Sequence, residues 1–145
     1  MSYNIAKCRC QKTLENGKIK KVTEQYLFDS LSVTETEARA KEEIGALYPD
    51  MEVRDVVSTK IAEIFGDKEC GRFWLAKVSF ITIDEKTAAE KRTISQILVG
   101  APNFTNAVEE FNEGMKGTMA DFELIGLTET PIVDYFPAKL SGDGE

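Results

Sequence analysis

The sequence predicts an α+β fold made of two copies of a β-β-α-β(β) unit, and three observations support this class. Residues 52–65 recur as residues 123–136, with identical residues at four of the aligned positions. In each copy, a strand pair and a helical pattern precede this segment in the same order. The chain has 145 residues, of which 42% are hydrophobic, and this is enough to build a real interior.

The first copy begins with two strands joined by a tight turn. Residues 5–13 alternate, with Ala6, Cys8 and Cys10 on one side and basic or polar residues on the other. The pair Asn16-Gly17 is a strong hairpin signal, because both residues accommodate positive φ. A second strand is predicted over 19–28, which is rich in β-branched and aromatic residues.

A helix is predicted over 33–47, followed by the repeated segment. Ser32 or Thr34 can cap it, since each has a glutamate three residues later. The apolar residues of the predicted helix form one stripe at helical spacing, namely Val33, Ala40, Ile44 and Leu47. The segment 52–65 is predicted as a strand, or as two strand pieces with a bend near residues 58–59.

The second copy follows the same order. Residues 73–83 match the first strand at an offset of 70, a hairpin is predicted over 84–89, and the returning strand runs over 92–99. Lys91 and Thr93 are aligned with Lys21 and Thr23 at that offset. The offset then becomes 71, so one inserted residue is predicted between Thr93 and Asn103, near the corner between strand and helix.

The second helix is expected to begin after Asn103 as its N-cap, and glycines end it. Its apolar stripe matches the first helix at an offset of 71 and consists of Phe104, Val108, Phe111 and Met115. Pro131 cannot donate a ladder hydrogen bond, so it indicates an edge or a break in the last strand.

One helix over a three-stranded antiparallel sheet gives thin cover, so the two copies are expected to share a core. They would either pack face to face with a pseudo-twofold relation or join edges into one larger sheet. Residues 1–137 are predicted to form a single α+β domain of two repeats, about 3–65 and 73–136. A disordered tail is predicted over 138–145.

Composition indicates a soluble protein that stays in the cytoplasm. The net charge of −7 argues against a protein that coats duplex nucleic acid with its whole surface. No apolar run approaches the roughly 18 residues of a membrane span, and the N-terminus lacks a signal segment. The cysteines, Cys8, Cys10 and Cys70, have no metal-type spacing and are predicted to be reduced thiols.

Several stretches resemble a domain-of-unknown-function family of about this length, found in Bacteroides-type gut bacteria and in their phages and mobile elements. The stretches are residues 15–17, 20–24, 90–93, 113–124 and 130–137. The most specific of them is Gly-Met-Lys-Gly-Thr-Met-Ala-Asp at 114–121. The resemblance implies a bacterial or phage setting, where small accessory proteins of replication, recombination or host takeover are common, and it brings no catalytic residues.

The chain has no histidine, which removes the commonest general base and metal ligand. No catalytic residue, metal or cofactor is therefore predicted, and the protein is expected not to be an enzyme. A carboxylate-based, metal-dependent enzyme is the weakest alternative, with its carboxylates at the repeat interface, where pseudo-symmetry would bring Glu52 near Glu123 or Glu63 near Asp134. Asp121 and Glu123, or Asp84 and Glu85, could also offer oxygens to Mg²⁺ or Ca²⁺. Charges in turns and at strand edges explain the same residues.

Charge is the more informative feature, because the hairpins are basic and the helices are acidic. Exposed lysines with aromatic rings would suit single-stranded nucleic acid, through phosphate contacts and stacking. The competing interpretation is that the aromatics are core and the lysines protect a sheet edge. The candidate residues are Lys7, Arg9, Lys12, Lys18, Lys20 and Lys21 in the first hairpin, Tyr26 and Trp74 as rings, and Lys91 and Arg92 in the second hairpin.

The sequence therefore favours a non-enzymatic binding or accessory protein. Its partner would be single-stranded nucleic acid or a replication or transcription complex. The alternative is a protein–protein adaptor or inhibitor that forms an oligomer through its strand edges and acidic helices.

Overall fold

A computed structural model describes residues 2–139 of the chain. The fold is α+β, with two helices and eight strands in these residues. The first half consists of β1 (Ser2–Thr13), β2 (Ile19–Ser30), α1 (Val33–Glu43), β3 (Glu52–Ser58) and β4 (Ile61–Gly66). The second half consists of β5 (Phe73–Ile83), β6 (Glu90–Gly100), α2 (Phe104–Gly114), β7 (Asp121–Glu129) and β8 (Ile132–Phe136).

The strands form two separate four-stranded sheets, so the two copies do not merge into one larger sheet. The first sheet has the order β3-β1-β2-β8, and the second has the order β4-β6-β5-β7. Three strands of each sheet come from one copy and pair antiparallel. The fourth strand comes from the other copy and pairs parallel, which makes each sheet mixed where antiparallel sheets were predicted.

The chain divides into two compact units that follow this exchange rather than the repeat boundaries. Unit 1 contains the residues up to Thr59 together with those from Ile132 onward, and unit 2 contains Lys60–Pro131. Each unit therefore holds one helix and one sheet, and each has its own core. The chain passes between the units at the two bends that the sequence predicts, Thr59-Lys60 and Thr130-Pro131.

Local signals place the first hairpin turn and the starts of both helices correctly. Gly17 has φ +82 in the first hairpin loop. The Ser32 hydroxyl accepts a hydrogen bond from the Glu35 N–H at 3.0 Å, and the Asn103 side chain accepts one from the Asn106 N–H at 2.8 Å. Both predicted N-caps are thus confirmed, with Ser32 rather than Thr34 capping α1.

The helix stripes are only partly as predicted. Ala40 and Ile44 are fully buried against the first sheet, whereas Val33 is 46% exposed and Leu47 is 69% exposed. The reason is that α1 ends at Glu43, so Leu47 lies in a turn beyond the helix. In α2 the cluster contains Ala107, Phe111 and Met115, while Phe104 is exposed at the first turn.

Strand register confirms the internal duplication. The β1–β3 pairing shifts between Lys7 and Cys8, and the β5–β7 pairing shifts between Lys77 and Val78, at an offset of 70. The two parallel pairings also shift at matching places, after Gln25 and after its counterpart Gln96. Both copies therefore carry the same irregularities at the same positions.

The predicted position of the inserted residue is wrong. Thr13 pairs with Ile19 in the first hairpin, and Ile83 pairs with Glu90 in the second, so the extra residue lies in the second hairpin loop. A hairpin loop accepts an insertion without changing which side chains face the core. The register aligns Lys21 with Arg92, and the sequence-based alignment of Lys21 with Lys91 is shifted by one residue.

The predicted tail begins at residue 138. Lys139 makes an ion pair with Glu42 at 3.0 Å. The rest of that prediction, residues 140–145, lies outside the described residues.

Candidate functional site

The structure divides the basic residues of the first hairpin between the two faces of the sheet. Ala6 and Cys8 belong to the cluster packed under α1, so Lys7 and Arg9 lie on the opposite face, here called the outer face. Lys21 shares that face because its partner across the ladder is Gln11. The remaining three are separate, since Lys12 and Lys20 pair on the helix face and Lys18 follows the turn.

Lys12 is already neutralised within the protein. Its Nζ donates to Glu24 at 2.9 Å and lies 5.9 Å from the centre of the Tyr48 ring. The hydrogen bond to Glu24 is the main reason why the pKa of Lys12 is raised. Glu24 also accepts a hydrogen bond from the Tyr26 hydroxyl at 3.0 Å, so a polar cluster closes this end of the unit 1 core.

The two aromatic residues proposed for stacking lie in the cores instead. Tyr26 is 6% exposed, and burial, followed by the nearby Glu24 carboxylate, raises the pKa of its phenol. Trp74 is 7% exposed, and its indole N–H donates to the Ala101 carbonyl at 3.0 Å. Neither ring presents a free face on which a nucleic-acid base could stack.

The second hairpin does not provide an equivalent basic patch. Lys91 and Arg92 are consecutive in β6 and lie on opposite faces. The Arg92 guanidinium is paired with Glu90 at 3.2 Å and with Glu123 at 3.4 Å. Its charge is thus balanced by two carboxylates.

Three predicted cations remain together, and we call Lys7, Arg9 and Lys21 the basic face. Among residues 2–139, none of the three forms an ion pair. Arg9 and Lys21 are exposed, and Lys7 is half-buried. Lys7 and Arg9 are two residues apart on one strand, a separation of about 7 Å.

A recess of about 220 Å³ opens beside the basic face. It is lined by Arg9, Cys10, Gln11, Lys21, Asp50 and Glu52. Glu52 lines the recess because β3 pairs with β1 and Glu52 lies directly opposite Arg9. Asp50 lies two residues before it in the chain. Glu52 is partly satisfied by Arg54, whose guanidinium lies 3.2 Å away.

Sequence reasoning did not assign Asp50 and Glu52 to this site. By sequence, Asp50 only ends the first helical pattern, and Glu52 begins the repeated segment and is a candidate carboxylate near Glu123. The available signal was the duplication itself, because Glu52 is aligned with Glu123, which lies near the start of β7 and contacts Arg92 at 3.4 Å. Acids at this strand start therefore face the cations of the neighbouring hairpin.

Two of the carboxylates considered as metal ligands, Asp84 and Glu123, have other partners. Asp84 Oδ1 accepts hydrogen bonds from the N–H groups of Lys86 and Thr87, as turn-forming aspartates commonly do. Glu123 faces Arg92. Within the described part of the chain, no group of three or more acidic or thiol side chains is arranged to hold a metal ion.

Residues 2–138 match the model of the family DUF4494, a domain of unknown function. The chain belongs to the DUF4494 family. No curated protein and no solved structure matches it. The DUF4494 match spans both units, so the strand exchange and the basic face lie inside the matched region. No helix among residues 2–139 is long and apolar enough to cross a membrane.

Proposed function

We propose that the protein is a binding protein without chemistry of its own, and that its basic face binds the phosphates of single-stranded nucleic acid. The basic face is small and the chain carries a net charge of −7, so an extended single strand suits it better than a duplex held over a wide surface. Because Tyr26 and Trp74 are buried, the contacts would be electrostatic rather than stacking.

One observation carries this proposal: unit 1 leaves three outer-face cations without an ion pair, whereas among the described residues of unit 2 only Lys77, the counterpart of Lys7, is left so. Arg9 corresponds to Ser79, which is buried, and Lys21 corresponds to Arg92, which is balanced by two glutamates. Both units have the same strands and the same bulge, so the shared fold does not require free positive charge there. Unpaired charge that a fold does not need is available for a ligand.

The proposal is tested by removing the two exposed cations. The variant combines Arg9→Ser, which introduces the residue of the second copy, with Lys21→Gln. Anisotropy of a labelled oligothymidylate should report weaker binding. With three phosphate contacts, log Kd should change with log salt by about 2 in the wild type, and by about 0.7 in the variant.

The matched control is Lys68→Gln with Lys86→Gln, which removes the same charge from exposed positions of unit 2. It should bind like the wild type. If the wild-type protein does not bind the oligonucleotide at about 50 mM salt, or if the control loses as much affinity as the test variant, the proposal is wrong.

A second candidate function, a protein-binding adaptor, is supported by the outer face of unit 2. Ile83 is 69% exposed and Ile94 is 53% exposed on this face, where the first copy has Thr13 and Thr23. Exposed isoleucines on neighbouring strands favour contact with another protein or with a second copy of the chain.

This candidate is tested by returning those positions to the residues of the first copy, Ile83→Thr with Ile94→Thr. The wild type should retain a protein partner from a nuclease-treated lysate, or form a concentration-dependent oligomer, and the variant should do neither. The control Ile19→Thr with Leu47→Thr removes equally exposed apolar groups from unit 1, at 67% and 69% exposure. Equal behaviour of all three proteins would reject this candidate.

The setting belongs to the same proposal. The sequence resemblance to proteins of Bacteroides-type bacteria and their phages supports a role inside a bacterial cell. There the protein would act in the cytoplasm as an accessory to a replication or transcription complex.

A further inference from the structure

The exchanged strands β4 and β8 are short, yet each completes the sheet formed by the other copy of the repeat. The strand β8 pairs with β2 from Gln25 to Phe28, and β4 pairs with β6 from Gln96 to Gly100. Without them, the inner edges of β2 and β6 would present unpaired backbone N–H and C=O groups. Each copy therefore carries the strand that the other copy lacks.

Side chains add to the backbone pairing in unit 1. Ile132 is 4% exposed, and the Phe136 ring stacks on Phe28 with the ring centres 4.7 Å apart and the planes 12° apart. Beyond the strand, the Arg39 guanidinium donates to the Pro137 carbonyl at 2.7 Å and to the Asp29 carbonyl at 2.9 Å. The end of β8 is thus fastened to α1 and to β2.

Unit 2 holds β4 by different contacts. The Phe65 ring packs on the core cluster and lies so close to Gly114 that a Cβ there would be 2.4 Å from the ring. At the strand end, the Asp67 N–H donates to the Gly100 carbonyl at 2.9 Å. Phe65 and Phe136 are equivalent residues, but their rings pack against different neighbours.

These differences make each edge specific for its own strand. The counterpart of Gly114 in unit 1 is Glu43, so unit 1 lacks the open space over which Phe65 lies. The counterparts of Phe28 and Arg39 in unit 2 are Val99 and Glu110, which offer neither a stacking ring nor a guanidinium. The two copies have diverged at the positions that contact the exchanged strand.

We propose that the edges of β2 and β6 are binding sites for a parallel strand of the pattern Ile-x-Asp/Glu-x-Phe, and that they bind this strand even when it belongs to a separate chain. The partner of each half is thus the other half of the same protein. The two halves should remain a specific one-to-one pair when the link between them is cut. This inference does not depend on the proposed function.

The test cuts the whole protein after it has folded. A protease recognition sequence is inserted between Glu69 and Cys70, in the exposed loop between β4 and β5. After cleavage, native mass spectrometry and light scattering at low micromolar concentration should give one complex of both fragments with the mass of the uncut protein. Separate fragments would overturn the proposal.

Variants then show whether the exchanged strands hold the complex. Phe136→Ala removes the ring from the donor strand, and Gly114→Ala acts on the acceptor side by displacing Phe65. Each should raise the dissociation constant of the cut pair by at least 30-fold. Leu47→Ala is the control, because this residue is 69% exposed and lies outside both acceptor edges.

Circular dichroism of the uncut variants establishes that each still folds. If Phe136→Ala does not fold, the milder change Phe136→Leu is used in its place. If the variants weaken the cut pair no more than Leu47→Ala does, strand exchange is not what holds the halves together, and the proposal is wrong.

Discussion

At the scale of single residues, Gly100 shows how closely the exchanged strand approaches its acceptor. A Cβ at this position would lie 1.9 Å from the Asp67 carbonyl oxygen, a distance that no side chain tolerates. The equivalent residue of unit 1 is Asp29, whose carbonyl instead receives the Arg39 guanidinium. The same backbone position therefore contacts the Asp67 backbone in unit 2 and accepts a side-chain hydrogen bond from Arg39 in unit 1.

Cys8 gives a prediction for pH. Burial, followed by the neighbouring Cys10 and Glu24, raises the pKa of the Cys8 thiol from 9.0 to about 11. Between these values the unfolded chain loses the proton and the folded chain keeps it, so stability falls as pH rises. We expect the wild type to lose about 1–2 kcal/mol more than Cys8→Ala between pH 8 and pH 10.5, measured by urea unfolding under reducing conditions.

The comparison with Cys8→Ala cancels the contributions of the other titrating groups. It also separates the ionisation of Cys8 from the cost of removing a buried thiol, which does not depend on pH. A difference between the two proteins that stays constant from pH 8 to pH 10.5 would contradict the prediction.

At the scale of elements, the hydrogen bonds of the threonine before each exchanged strand explain why Thr59 and Thr130 are identical in the two copies. The N–H and hydroxyl of Thr59 both donate to the Tyr3 carbonyl, at 3.1 and 2.7 Å. In the second copy, the same two groups of Thr130 donate to the Phe73 carbonyl, at 2.8 and 2.9 Å. The identical threonines hold the bend at which the chain passes from one unit to the other.

Removing either hydroxyl should weaken the bend. Thr59→Val and Thr130→Val keep the side-chain shape but lose one hydrogen bond, so each should lower the free energy of unfolding by about 1 kcal/mol. Chemical denaturation measures the loss. Thr128→Val serves as the control, because this β7 side chain is exposed, and a similar loss in it would show that the bend is not the cause.

At the scale of the whole molecule, the two units share a fold but present different surfaces. The outer face of unit 1 has unpaired cations beside a recess, whereas that of unit 2 has exposed isoleucines and a neutralised arginine. Duplication allows one copy to change its surface while the other keeps the framework. The two outer faces therefore offer different chemistry to a binding partner.

The cysteines test the packing of the whole chain. Cys8 and Cys10 are buried in the unit 1 sheet, and Cys70 is half-exposed in the loop before β5, with all three thiols free. An aromatic disulfide reagent should modify one thiol per chain quickly in the native protein and three in denaturant. The fast phase should disappear in Cys70→Ser, and rapid reaction of all three thiols in the native protein would contradict the buried positions.

The sequence by itself determined the elements and their order. Alternation, the Asn16-Gly17 turn and the caps at Ser32 and Asn103 are local signals, since the atoms involved are within a few residues of one another. The duplication was also visible, because both copies keep the residues that form the last strands. The basic character of the first hairpin followed directly from composition.

Only the tertiary structure decided which strands become neighbours. Periodicity shows which side chains share a face but not which edge a strand joins, so the parallel pairing of β4 and β8 with the opposite copies was not predictable. The packed cores buried Tyr26 and Trp74, and the β1–β2 register placed five of the six basic residues on two different faces, with Lys18 beside the turn. Charge and aromatic content are properties of the sequence, but whether they form one surface depends on contacts between distant residues.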